Sequence, residues 1–221
     1  MVVDLLLPQR CVVCGRSGVH VCPACADALR RIRAPLCARC GAPTAWPVAR
    51  CRECVGRRLA FSSARAAVEY DDAARDVVTA WKERGLRRLG GWAAGIVVAV
   101  LPRPCVDFVT FVPADESRRL RRGHHSAERL AAALAVSWEL PLDELLGRTR
   151  PVARQRGLDH VARRRNVRGA FAGKGRIPRR VLLVDDVYTT GATANAAASA
   201  LRSAGAHDVA VATFARAIRV R

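Results

Sequence analysis

Lysine is nearly missing from this 221-residue chain: Lys82 and Lys174 are the only two among 38 basic residues. Acids are scarce too, 19 in all, which leaves a net charge of +19. The preference for arginine, beside abundant alanine, points to a GC-rich coding bias. That bias does not explain the shortage of acids, which favours substrates with several phosphates or a nucleic-acid surface. Aromatics are few (five Phe, two Tyr, four Trp) and none interleaves with the basic runs, which weakens a base-stacking platform. Long apolar runs are absent. Leu5–Leu7 is stopped by Pro8, and Ile96–Leu101 is far short of the ~20 residues a membrane span needs. No secretory leader and no membrane insertion are expected, so the expected location is the cytoplasm. A nucleotide-binding G-x-x-x-x-G-K-[ST] loop is also missing. The nearest candidate, Gly169–Gly175, has the wrong spacing and no hydroxyl after Lys174.

Cysteine is plentiful, with nine residues. Without a secretion signal these argue for metal rather than structural disulfides. Eight form four C-x-x-C pairs: Cys11/Cys14, Cys22/Cys25, Cys37/Cys40 and Cys51/Cys54. Two such turns close one tetrahedral Cys₄ zinc site. The first and third pairs are each followed by glycine, Gly15 and Gly41, so the segment repeats as two units. The repeat favours sequential pairing into two zinc ribbons; a cross-braced pairing of first with third stays open. Four thiolates leave no position for chemistry, so the two Zn²⁺ are expected to be structural. His20 reads as a bystander, and Cys105, without a metal-spaced partner, as a small buried apolar residue. Residues 1–57 form the expected zinc module and 58–221 the main domain. Asp27–Ile32 reads as a short helix between the ribbons.

The chemistry concentrates in Val181–Thr193. Four apolar residues, Val181–Val184, read as a strand buried on both faces. It ends in Asp185 and Asp186, then continues through Val187, Tyr188, Thr189, Thr190, Gly191, Ala192 and Thr193 into an Ala-rich helical segment, Ala194–Ser203. In open α/β sheets, ligands sit beyond the carboxyl ends of the strands. Small hydroxyls, a glycine and the free amides of a helix start suit a monophosphate. The acid pair would repel that phosphate and suits a diol or a metal nearby. A sugar phosphate satisfies both halves.

Around this stretch, Leu59–Tyr70 alternates as a strand, and Asp71-Asp72 caps a helix reaching about Glu83 with Val77, Val78 and Trp81 inward. A second helix, about Leu86 to Val100, reads as interrupted by Gly90-Gly91. Val106–Val112 is a buried strand, followed by the basic turn Arg118–Gly123 and a helix, Ser126–Val136, with Leu130 and Leu134 on one face. Leu140–Leu146 reads as a short strand. Arg148–Phe171 is the most basic segment. It reads either as a solvated loop or as a lid over pyrophosphate, with a short helix over Leu158–Val167. The last strand is His207–Phe214. This order fits an α/β fold, a parallel sheet flanked by helices, carrying the N-terminal zinc-ribbon module.

Val181–Thr193 resembles the phosphoribosyl-pyrophosphate (PRPP) signature of type I phosphoribosyltransferases. With the four C-x-x-C pairs ahead of it, the chain resembles the ComF family, double-zinc-ribbon phosphoribosyltransferase-like proteins associated with DNA uptake. Phe111-Val-Pro113, Arg119–Gly123, Gln155, Arg165-Asn-Val167 and Ala170-Phe171 add to the match. The resemblance implies that Asp185 and Asp186 are the catalytic pair and contact the ribose hydroxyls of PRPP, directly or through Mg²⁺. It implies that residues 187–193 hold the 5′-phosphate and that Arg122, Arg154 and Gln155 lie near pyrophosphate. It also implies partners in single-stranded DNA and DNA-uptake proteins, either for phosphoribosyl transfer or for a non-catalytic nucleic-acid-binding role. The family's usual Arg-Gly-Phe-Asn-Gln is here Arg122-Gly-His-His-Ser126, so the acceptor side is unread.

Overall fold

The structure is a computed structural model that describes residues 9–115, 125–150, 167 and 169–218. Its centre is a four-stranded parallel sheet of β1 (Ser63–Glu69), β2 (Phe108–Phe111), β5 (Arg180–Tyr188) and β6 (Asp208–Arg216), in the order β1-β6-β5-β2. Two short strands, β3 (Leu146–Arg148) and β4 (Phe171–Gly173), pair antiparallel apart from it. Among the described residues the helices with stated bounds are α1 (Pro23–Ala28), α2 (Asp72–Glu83), α3 (Leu89–Val100), α4 (Ser126–Ser137) and α5 (Ala192–Ser203).

Both faces of the sheet are covered, as continuous apolar strands require. Along β5, Leu182 and Val184 join a core with Trp81, Val97, Leu130 and Leu134 of α2, α3 and α4. Val181 and Leu183 join a second core with Ala197, Ala198 and Leu201 of α5. Fully burying a leucine such as Leu130 or Leu134 contributes ~1.5–3 kcal/mol. α2 starts where Asp71 accepts a hydrogen bond from the Ala74 amide at 2.9 Å, a side-chain N-cap. Val77, Val78 and Trp81 then fall on its buried face.

The zinc module straddles the outer edge of this sheet. Val21 and Leu29 of the first ribbon belong to the α2–α4 core, whereas Cys37, Cys40 and Cys54 of the second belong to the α5 core. Residues between the ribbons run along β1: Ile32 donates to Ala67 O and Glu69 donates to Arg30 O, each at 2.9 Å. An open strand edge is thereby paired.

Several local expectations are corrected. The short helix occupies Pro23–Ala28 within the first ribbon, not Asp27–Ile32, because Pro23 suits a first helical turn and Arg30–Ile32 is taken up by β1. α3 starts at Leu89 and runs through Gly90 and Gly91 without a break, with Gly90 against Arg129 of α4. Leu140–Leu146 is not one strand. Leu142 bridges to Val109 of β2, while Leu146 begins β3. Cys105 is exposed, and its sulfur accepts a hydrogen bond from Arg180 at 3.2 Å. Among the described residues no helix is long and apolar enough to cross a membrane.

Candidate functional site

The eight paired cysteines gather as two sets, Cys11/Cys14/Cys22/Cys25 and Cys37/Cys40/Cys51/Cys54, each with its sulfurs within 4.8 Å of one another. Pairing is therefore sequential. A tetrahedral ion with Zn–S of ~2.3 Å places ligand sulfurs ~3.8 Å apart. Cys14–Cys22 is 3.7 Å, Cys37–Cys54 is 3.6 Å and Cys40–Cys51 is 3.4 Å, all far beyond a disulfide bond. The donor set thus fits zinc. Amides point at the first sulfur of each set, from Cys22 to Cys11 at 3.4 Å and from Cys51 to Cys37 at 3.3 Å. Burial pushes these two thiols up, but such amide donors outweigh it and bring Cys11 to about 6 and Cys37 to about 7. Gly41, at φ +69°, lies so close to Ala64 O that a side chain would strike the backbone of β1. His20 belongs to neither set.

Strand alternation sends the two carboxylates at the end of β5 in opposite directions. Asp186 faces the α2–α4 side and is 6% exposed. Its Oδ1 lies 2.6 Å from Lys82 Nζ at the end of α2, and its Oδ2 accepts 2.7 Å from Ser126 Oγ at the start of α4. Burial pushes Asp186 up, but the Lys82 charge, its hydrogen bond and that of Ser126 hold it below the usual carboxylate range. Asp185 faces the α5 side and accepts a hydrogen bond from the Asp186 amide at 2.9 Å. Burial first, then the charge of Asp186, raise it to about 7 against the pull of Lys82. Asp186 is thus engaged with the fold, and Asp185 is the carboxylate that lines the cleft.

Asp185 lines a small cleft with Val187, Thr189, Gly191, Thr193 and Thr213. Gly191 caps α5 at φ +70° and brings no side chain to the first-turn amides, which suits an anion there. Thr190, buried, accepts from the Ala192 amide at 3.2 Å and fixes the turn. Val187 and Tyr188 are the last residues of β5, and Ala192 and Thr193 the first of α5. The Tyr188 side chain packs against Phe61 and under the Arg216 guanidinium, 4.5 Å from its ring centroid, with its hydroxyl against Gly191. Arg122, Arg154 and Gln155 lie outside the described residues. What is described of the basic segment is anchored: Arg148 Nε donates to Pro113 O at 2.8 Å, and its guanidinium lies 5.1 Å from the Phe171 ring centroid.

Lys82 carries no sequence motif, whereas Ser126 ends the segment Arg122–Ser126 that the resemblance places on the acceptor side. The available signal was that Lys82 is one of only two lysines in an arginine-rich chain. His125, expected in a loop, is instead nearly buried before α4, edge-on to Phe111 at 5.3 Å. Burial lowers it to about 4, despite the nearby Asp186, so the imidazole is neutral at pH 7.

A double zinc ribbon domain family model matches residues 2–55. Competence protein F of Haemophilus influenzae is 28% identical over 223 residues, covering 94% of this chain and 97% of that protein. DNA utilization protein YhgH of Salmonella typhi is 27% identical over 225 residues, covering 94% and 96%. Competence protein ComFC of Streptococcus pneumoniae is 29% identical over 195 residues, covering 88% and 80%. Among solved structures, the Bacillus subtilis glutamine PRPP amidotransferase complexed with ADP and GMP is 26% identical, with a TM-score of 0.38 over 58% of this chain and 26% of that one. At that score the fold rests on the sheet order and register themselves. A sequentially paired double zinc ribbon stands ahead of a parallel sheet flanked by helices, and over nearly its whole length the chain is similar to competence and DNA-utilization proteins of the ComF kind.

Proposed function

We propose that this chain binds PRPP with Mg²⁺ and transfers its phosphoribosyl group to an acceptor, in the service of DNA uptake or the processing of single-stranded DNA. One observation carries this: Asp185 shares its cleft with the glycine-capped start of α5. A diol-binding carboxylate therefore stands beside a phosphate loop. The α5 amides and Thr189–Thr193 would hold the 5′-phosphate. Asp185 would orient a ribose hydroxyl, directly or through the metal, and so present C1 to the acceptor. In the transfer, the C1–O bond to pyrophosphate breaks as the acceptor's lone pair forms the new bond, and the acceptor's proton leaves. Arginines of the Arg148–Phe171 segment would receive the departing charge.

Lys82 pairs with Asp186, while burial and the Asp186 charge leave Asp185 short of counter-charge among the described residues, and oxygen ligands beside a phosphate site suit Mg²⁺. Asp185 would hold it. When bound, Mg²⁺ supplies charge neutralisation for pyrophosphate. The names of the competence and DNA-utilization relatives support the link to DNA.

The excess of 38 basic over 19 acidic residues favours a second reading, a non-catalytic nucleic-acid-binding protein that keeps the PRPP pocket for regulation. Melting the zinc-loaded protein with PRPP, pyrophosphate or ribose 5-phosphate, each with and without Mg²⁺, tests the first. A shift specific to PRPP with Mg²⁺ is expected, and none at all would refute it. Retention on single-stranded DNA that weakens steeply with salt is expected of the second; a flat salt response would refute that.

A further inference from the structure

The phosphate loop is braced from behind by the second zinc ribbon. Arg216, at the end of β6 and 1% exposed, donates to Cys40 O and to Glu53 Oε2, each at 2.6 Å. Cys40 is a ligand of the second set, and Glu53 lies between two more, Cys51 and Cys54. The same guanidinium covers the Tyr188 ring, whose edge is closed by Phe61. The Tyr188 hydroxyl is buried without a hydrogen-bond partner among the described residues, and it abuts Gly191 so closely that a Cβ there would clash with it. A second route runs through Arg57, which donates to Glu53 O at 3.3 Å and to Thr190 O at 3.0 Å. Both routes start at the second metal knuckle and end within Tyr188–Gly191. The first ribbon instead packs into the core on the opposite face.

We propose that the second zinc site is the positioning element of the phosphate loop, acting through Arg216 and Arg57, and that the first zinc site has no such role. Four thiolates drawn onto one ion fix the Cys40 carbonyl and the backbone around Glu53. Those groups in turn fix the two guanidiniums, because charge-assisted bonds in a buried setting tolerate little displacement. With the second site empty, Arg216 loses its anchors, Tyr188 is released, and Gly191 is no longer held at the helix start. The fold of the sheet is retained, since β5 and β6 stay paired along their length.

This inference rests on the phosphate-loop reading of Thr189–Thr193, but its test needs no ligand. Hydrogen exchange of peptides spanning Asp185–Asn195 is compared in the full chain, with zinc content measured in parallel, for wild type, Cys51→Ser, Cys22→Ser and Glu53→Gln. Loop exchange about tenfold faster in Cys51→Ser, and raised in Glu53→Gln with both zincs retained, is the expected result. Cys22→Ser, which empties only the first site, should leave the loop at the wild-type rate. Glu53→Gln is not a zinc ligand change, so it remains informative if Cys51→Ser fails to fold. Loop exchange equal to wild type in a folded Cys51→Ser or in Glu53→Gln overturns the proposal, as does an equal rise in Cys22→Ser. A wild-type protein that binds no PRPP would count against the transferase reading and would leave the exchange comparison standing.

Discussion

Replacing Lys82 with methionine keeps an unbranched apolar stem on α2 but removes the ammonium 2.6 Å from Asp186. The Lys82 side chain is 26% exposed and that of Asp186 8%, so the pair is shielded without being dry. Deleting one partner of a buried pair costs ~3–5 kcal/mol. Here Ser126 still donates to Oδ2 at 2.7 Å and takes up part of the stranded charge, so a loss of ~2–4 kcal/mol is expected. For a chain of this length that lowers the melting temperature by roughly 5–15 °C. The sign of the pH dependence follows from linkage. Burial pushes Asp186 up and Lys82 more than reverses it. In wild type, the depressed value contributes stability that is present above the unfolded carboxylate value of ~3.9 and lost as pH falls below it. Without Lys82 the native acids bind protons that the unfolded chain does not, so the variant loses stability as pH rises. Urea unfolding at constant zinc should show the largest deficit near about pH 8 and a smaller one near about pH 5. Adding Asp186→Asn to Lys82→Met should recover much of the loss, because an amide needs no counter-ion. A Lys82→Met deficit that is the same at both pH values, or no rescue in the double variant, would refute the assignment of Lys82 as the counter-charge of Asp186.

Asp185 behaves in the opposite sense. It is held at about 7 by burial and by Asp186, so it costs stability as pH rises from ~4 through 7; Asp185→Asn should stabilise by ~1–3 kcal/mol near about pH 8 and by little near about pH 4, read by calorimetric melting. Gly191→Ala combines an unfavourable left-handed φ of +70° with a clash against Tyr188; it should cost ~1–3 kcal/mol in urea unfolding and abolish the PRPP-induced melting shift. Gly41→Ala meets the Ala64 carbonyl at φ +69°; metal analysis should find two zincs per wild-type chain and fewer than two in this variant.

The strands and helices of the main domain were legible because their patterns are local. The apolar run Val181–Val184 can only be buried, and Asp71 ahead of Val77, Val78 and Trp81 specifies a capped amphipathic helix. Sequential zinc pairing was foreshadowed by the repeat of C-x-x-C-G but needed the fold to choose it over cross-bracing. What the chain could not announce was long-range. Lys82 and Ser126 meet Asp186 only because α2 and α4 end and begin beside the same strand terminus. The divergence of the two acids was implicit in the period-two alternation of a strand, yet the motif invites treating them as a unit. Cys105 was misplaced because its neighbour Arg180 arrives from a strand 75 residues away. Nor could spacing show that Arg57 and Arg216 join the second ribbon to the turn after β5, since the Arg57–Thr190 and Arg216–Cys40 bonds each span well over a hundred residues.

Calorimetric titration of PRPP into the zinc-loaded full chain, with and without Mg²⁺, for wild type and Asp185→Asn, tests the donor site most directly. One PRPP per chain is expected, dependent on Mg²⁺, with affinity at least about tenfold weaker in an Asp185→Asn protein that is no less stable than wild type. No binding to wild type, or equal affinity in the variant, would contradict a PRPP site at the end of β5.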